Sequence, residues 1–175
     1  MTEMNNTKDN GIQVEITPID KRILKQVWTK MRTGEPLEGA AVYIGRSMAE
    51  HPQWFALFEA LGILEGDDEL PDGSNPYIHL TMHVLVGGQI FHGQPKQATQ
   101  FYQKRIKKGD DSHLIAHMMI EVFKRHLAWT AQKGRDASEF DHQAYGKTLH
   151  TLMPLSTSEI WQRLGATEIP TPHTP

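Results

Sequence analysis

Apolar residues at helical spacing, in segments separated by glycine and proline, constrain the fold of this chain most. Between Ile19 and Met31 the apolar side chains recur on one helical face, and Gly34 ends the segment. Similar segments follow along the chain, and no stretch between turn signals shows sustained alternation of apolar and polar residues. The pattern predicts an all-α, single-domain helical bundle of about six helices with no sheet.

The chain divides into three parts by composition. Residues 1–15 are polar without an apolar period, which predicts a disordered N-terminal arm, and residues 16–153 form the helical-bundle domain. In residues 154–175, Ser156 and Glu159 have the spacing of a capping box, which predicts a short helix before a proline-rich tail.

Composition excludes several classes of site and partner. The 175 residues include no cysteine, so disulfides, iron-sulfur clusters and thiolate zinc sites are excluded, and any metal must take nitrogen and oxygen ligands. The net charge is -3, and the basic run at residues 104–108 is explained by the end of a helix, so neither nucleic acid nor a membrane is the expected partner. The acidic segment 65–72 lacks the spacing of a calcium loop and is interpreted as solvated.

The sequence also shows no recognisable targeting signal or membrane-spanning segment. The polar N-terminal residues have neither the basic nor the apolar region of a secretory signal, and no apolar run approaches the length of a spanning helix. We therefore expect a cytoplasmic protein whose partner, a small molecule or a protein, the sequence does not identify.

Two HxxxH pairs are the most informative functional pattern. His79 and His83 lie in a helix predicted from Asn75 to about Phe91, and His113 and His117 in one predicted from Asp111 to about Lys133. Residues four apart share one helical face, so each pair can direct two imidazoles at one point. Glu121, one further helical step along, adds a carboxylate to the second pair.

The first pair is predicted to be buried, because its helix is apolar on nearly all sides. Short turns on either side of the intervening helix predict that the two histidine helices run parallel with their N-termini at one end, so that the pairs meet. In that arrangement Glu121 faces the small Gly87 and Gly88, which leave room for an ion, a water or a ligand.

An alternative remains open for the second pair. His113, His117 and Glu121 share their helical stripe with Lys124 and Gln132, so this stripe is also compatible with a solvent-exposed face. In that case His79 and His83 are structural core histidines. The decisive distance is the one between His83 and His117.

Four histidines and one carboxylate suit a transition metal such as zinc, iron, nickel or manganese, bound either as one ion or as two. If the site is catalytic, Glu121 is the best general base, acting on a metal-bound water. The sequence contains none of the glycine-rich phosphate-binding motifs, so no nucleotide cofactor is expected.

A competing hypothesis is an interaction module without metal or turnover. Its histidines are then structural, and its partner surface is the segment with Trp54, Phe55 and Phe58 beside the acidic loop.

Several motifs together resemble one known family. They are GEPLE near residues 34–38, HPQW at 51–54, NPYIHLTMH at 75–83, the spacing of Gln89, Pro95 and Tyr102, and GDDSHLIAHMMIE at 109–121. Over about residues 17–150 the chain resembles the bacterial family of uncharacterised proteins catalogued as domain of unknown function 1841. The resemblance implies a helical architecture and makes the histidine motif a family feature, but it implies no reaction. Where the family leads us to expect an acidic residue one turn beyond Glu121, this chain has Lys124, Arg125 and His126.

Overall fold

The computed structural model describes residues 17–61, 70 and 74–165. These residues form an all-α fold, as predicted, with eight α-helices and no strand in the described part of the chain. The helices are α1 (Lys21–Thr33), α2 (Ala40–Ala49), α3 (Phe55–Glu59), α4 (Pro76–His92), α5 (Lys96–Lys107), α6 (Ser112–Gln132), α7 (His142–Leu152) and α8 (Thr157–Arg163). The count exceeds six because the short helices α3 and α8 stand apart from their neighbours. The predicted N-terminal arm, the acidic loop 65–72 and the proline-rich tail lie outside the described residues, except for Leu70.

The two helices that carry the histidine pairs begin at the predicted caps. Asn75 accepts hydrogen bonds from the amides of Tyr77 and Ile78, with Pro76 in the first helical position. Asp111 caps α6 in the same way. These caps fix where each helix begins, and so they fix which helical turn holds each histidine.

Helix α4 is apolar on nearly all sides because it packs into two separate hydrophobic clusters. Tyr77 and Leu80 belong to a cluster with residues of α1, α2 and α3. Met82 and Val86 belong to a second cluster, which is built with α5 to α8. The predicted burial is therefore confirmed for His83 but not for the whole helix, because His79 is partly exposed and Leu85 and Phe91 are 43% and 71% exposed.

The short C-terminal helix α8 packs into the second cluster. Its capping box is formed as predicted, with the Ser156 hydroxyl and the Glu159 carboxylate each bonding to the other residue's backbone amide. Ile160 and Trp161 of this helix are buried with the side chains of α6 and α7.

Among the described helices, none has the combination of length and apolar character that crossing a bilayer requires.

Candidate metal centre

Five histidine side chains converge at the contact between α2, α4 and α6. The two predicted pairs meet, and the fifth is His51, which directly precedes the 3-10 turn Pro52–Trp54. One ring nitrogen from each side chain lies within 4.8 Å of all the others. The rings of His83 and His117 are 4.9 Å apart between centroids, so the second pair does not lie on a separate, solvent-exposed face.

The Nε2 atoms form a continuous set of short contacts. His79 Nε2 lies 3.0 Å from His83 Nε2 and 2.9 Å from His51 Nε2. His113 Nε2 lies 3.2 Å from His51 Nε2 and 3.0 Å from His117 Nε2. All five rings therefore present the same atom to a common centre.

Hydrogen bonds between the rings account for only part of this convergence. A ring nitrogen carries either one hydrogen or one lone pair, so each Nε2 takes part in one straight hydrogen bond. Five such atoms form at most two straight ring-to-ring hydrogen bonds at a time, yet four of their contacts are 3.2 Å or shorter. A cation at the centre would accept a lone pair from all five atoms at once.

His51 is held in the orientation that a ligand requires. Its Nδ1 lies 2.6 Å from the carbonyl oxygen of Ser47, and a carbonyl cannot donate, so Nδ1 carries the hydrogen. In the neutral ring Nε2 is then the lone-pair atom, which is the usual effect of a second hydrogen bond on a metal-binding histidine. Trp54 stacks on the ring of His51, with the centroids 4.7 Å apart and the planes only 5° from parallel, and it contacts the ring of His79 edge-on.

The surroundings favour neutral imidazoles. His51 and His83 are buried, whereas His79, His113 and His117 are partly buried. Burial, with a smaller contribution from the neighbouring rings, lowers the pKa of His79 to about 2 and shifts the pKa of His83 in the same direction. Neutral imidazole is the form that binds a metal.

Glu121 is not part of this group. Its carboxylate lies 2.8 Å from the ammonium of Lys124, three residues along the same helix, and it is partly exposed. The cavity that Gly87 lines is bordered by Ser112 and Ala116 of α6 rather than by Glu121.

His113 and His117, in the first two turns of α6, contact His79 and His83 of α4, so the two predicted pairs meet. The parallel direction of the two helices stays a prediction.

The aromatic segment after His51 is partly accessible. Phe58 is completely buried, and Trp54 stacks on His51. Phe55 packs against Trp28, with ring centroids 5.0 Å apart, and is still 38% exposed. A surface for a protein partner at this segment stays a prediction.

Sequence reasoning missed His51, because no local pattern marked it. In the sequence, a histidine before a proline indicates only a helix break, which carries no ligand spacing. The HPQW motif did appear among the residues that carry the family resemblance, and this was the available signal.

Comparison with known proteins gives one match, to a family. No curated protein and no solved structure matches the chain. The family model described as domain of unknown function matches residues 19–151, which include all five histidines and α1 to α6. The chain therefore belongs to the family of domain of unknown function 1841.

Proposed function

We propose that this protein binds one divalent transition-metal ion through the Nε2 atoms of His51, His79, His83, His113 and His117. The observation that carries the proposal is the convergence of these five ligand atoms within 4.8 Å of one another. Glu121 is left out of the ligand set because it pairs with Lys124.

The spacing of the nitrogen atoms supports a single ion. With metal-nitrogen bonds of about 2.1 Å, neighbouring ligands of an octahedral ion lie about 3.0 Å apart and opposite ligands about 4.2 Å apart. The four short contacts measure between 2.9 and 3.2 Å. Two ions would need ligands spread over a longer distance, because such pairs are about 3.5 to 4 Å apart.

The donor set narrows the choice of metal. Imidazole suits zinc, iron, nickel and copper, whereas magnesium, calcium and manganese favour carboxylate, carbonyl and water ligands. Structural zinc sites are almost always four-coordinate, so a fifth nitrogen favours an ion that accepts five or six ligands. Iron(II) and nickel(II) fit this requirement best, and an octahedral ion would keep one position for an exogenous ligand.

Elemental analysis of protein purified without a histidine tag tests the proposal. We expect about one equivalent of metal in the wild type and a loss of most of it in His83→Ala and His51→Ala, because removing one ligand opens the site. His150→Ala is the matched control, since this exposed histidine lies on α7, away from the centre. A metal content that is unchanged in both ligand variants, or a wild type that binds none after reconstitution, would refute the proposal.

A further inference from the structure

A cavity of about 180 Å³ adjoins the histidine centre. His83 forms part of its wall, and so does Ser47, whose carbonyl oxygen lies 2.6 Å from His51 Nδ1. A molecule in this cavity would therefore lie against one proposed metal ligand and against the residue that orients another.

The cavity has the size and the walls of a site for one ring. The side chains of Tyr43, Ile90, Phe91 and Tyr102 line it, and most of this lining is hydrocarbon. An apolar protein cavity of about 150 Å³ is known to hold benzene. The cavity thus accommodates a single six-membered ring or a branched chain of similar volume.

Gly87 keeps one wall of the cavity open. It lies inside helix α4, where glycine is less stable than alanine. Packing does not require the glycine, because an added Cβ would meet its nearest neighbour, Tyr43 Cδ1, at an ordinary distance of 3.4 Å. The space that a side chain at position 87 would occupy is therefore part of the cavity.

The charge at the centre favours an anion. Five imidazole ligands are neutral, so a bound divalent ion keeps its full double charge. Arg46 also lines the cavity, but its Nε lies 3.0 Å from the Glu50 carboxylate, and the two charges offset each other. The excess positive charge beside the cavity is thus that of the metal.

We infer that the cavity binds a small monoanion with one apolar ring or branched chain, and that aromatic carboxylates are its simplest ligands. The carboxylate would lie towards the histidine centre and the ring among Tyr43, Gly87 and Ile90. This inference rests on the proposed metal binding, because the metal supplies the charge that selects an anion.

Calorimetric titration of the metal-loaded full chain tests the inference, with benzoate, acetate and benzyl alcohol as the probes and with metal content measured in the same samples. Benzoate should bind on the order of 10 to 100 times more tightly than acetate because of its buried ring. It should also bind more tightly than benzyl alcohol because of its charge.

Gly87→Leu should weaken benzoate binding by more than about tenfold while the metal is retained. Gly88→Leu is the matched control, since a Cβ at Gly88 meets no atom within 4 Å and Gly88 does not line the cavity. Gly87→Ala is a milder variant, which should weaken benzoate binding less than Gly87→Leu, and it serves if leucine disturbs the fold.

The outcomes separate the two proposals. Metal-loaded protein that binds benzoate no better than acetate overturns the cavity inference and leaves metal binding standing. Equal weakening by the Gly87 and Gly88 variants also overturns it, because the ligand then lies elsewhere. Protein that takes up no metal overturns both proposals.

Discussion

Two clusters of buried polar side chains in this protein differ in the chemistry of the groups that they bring together. One is the histidine centre. The other, here called the arginine clasp, consists of Arg105 at the end of α5, Asp110 in the following turn, and Leu155 and Thr157 at the start of α8.

The arginine clasp joins groups of opposite charge. Arg105 is 1% exposed, and its Nη1 and Nη2 donate to the Leu155 carbonyl at 2.6 Å and to the Thr157 hydroxyl at 2.7 Å. Its Nε lies 2.5 Å from the Asp110 carboxylate, which also accepts a hydrogen bond from Thr157 at 2.7 Å. The positive charge of Arg105 therefore lies beside a carboxylate of the same chain, and the clasp links α5 to the start of α8 without a charged ligand.

The histidine centre instead brings together five nitrogens of one kind, each able to bind a metal. Burial of polar groups alone therefore does not indicate a ligand site. The convergence of several like metal-binding atoms does, because these groups do not neutralise each other as a cation and a carboxylate do.

The largest effect of a single substitution is expected in the clasp. Arg105→Ala should lower the free energy of unfolding by about 3 to 5 kcal/mol, because it leaves a largely buried carboxylate without its cation. Urea unfolding measures the change, and Lys104→Ala, an exposed position on the same helix, should stay within about 0.5 kcal/mol of wild type. A cost below about 1 kcal/mol for Arg105→Ala would show that the clasp does not fasten α8.

Metal removal should have the next largest effect, and only at the histidine centre. At a free-metal concentration of about 100 times Kd, bound metal stabilises the fold by about 2.7 kcal/mol, and a chelator removes that contribution. Thermal unfolding with and without chelator should show the difference in wild type and not in His117→Ala. Arg105→Ala should keep it despite its lower stability, and a loss there would show that the two clusters are not independent.

Acid should weaken the metal-free protein through the same histidines. The pKa of His79 is about 2 in the folded chain and that of His83 is also lowered, against an ordinary value of 6.5 when unfolded. Below pH 6.5 the unfolded state therefore binds more protons, and stability falls as the pH decreases towards 2.

Each of these two histidines contributes at most about 1.4 kcal/mol per pH unit in this window. Urea unfolding in chelator at about pH 7, 6 and 5 measures the slope, which His83→Gln should reduce. Stability that stays flat over this range would mean that the rings are not desolvated as the structure places them.

The sequence was sufficient to predict the two histidine pairs, which are the part of the centre that local spacing determines. The caps at Asn75 and Asp111 fixed the start of each helix, and the four-residue spacing fixed the faces of the two pairs. The sequence does not predict His51 as a ligand, because a single histidine at a helix break belongs to no repeating spacing. Only the tertiary fold brings it to His79. The sequence does not predict the burial of Arg105 for a similar reason. Its neighbours Lys104 and Lys107 are exposed, and its burial depends on α8, about fifty residues further along the chain.

The smallest expected effect concerns the boundary of the histidine centre. Glu121 and Lys124 form a partly exposed pair three residues apart on α6, which is worth at most about 0.5 kcal/mol. Glu121→Gln should therefore change the unfolding free energy by no more than this amount and leave the metal content at the wild-type level. Because glutamine removes the charge but keeps the shape of the side chain, a clear loss of metal in this variant would indicate a carboxylate acting at the centre. That result would return Glu121 to the ligand set and make the site one of mixed nitrogen and oxygen donors.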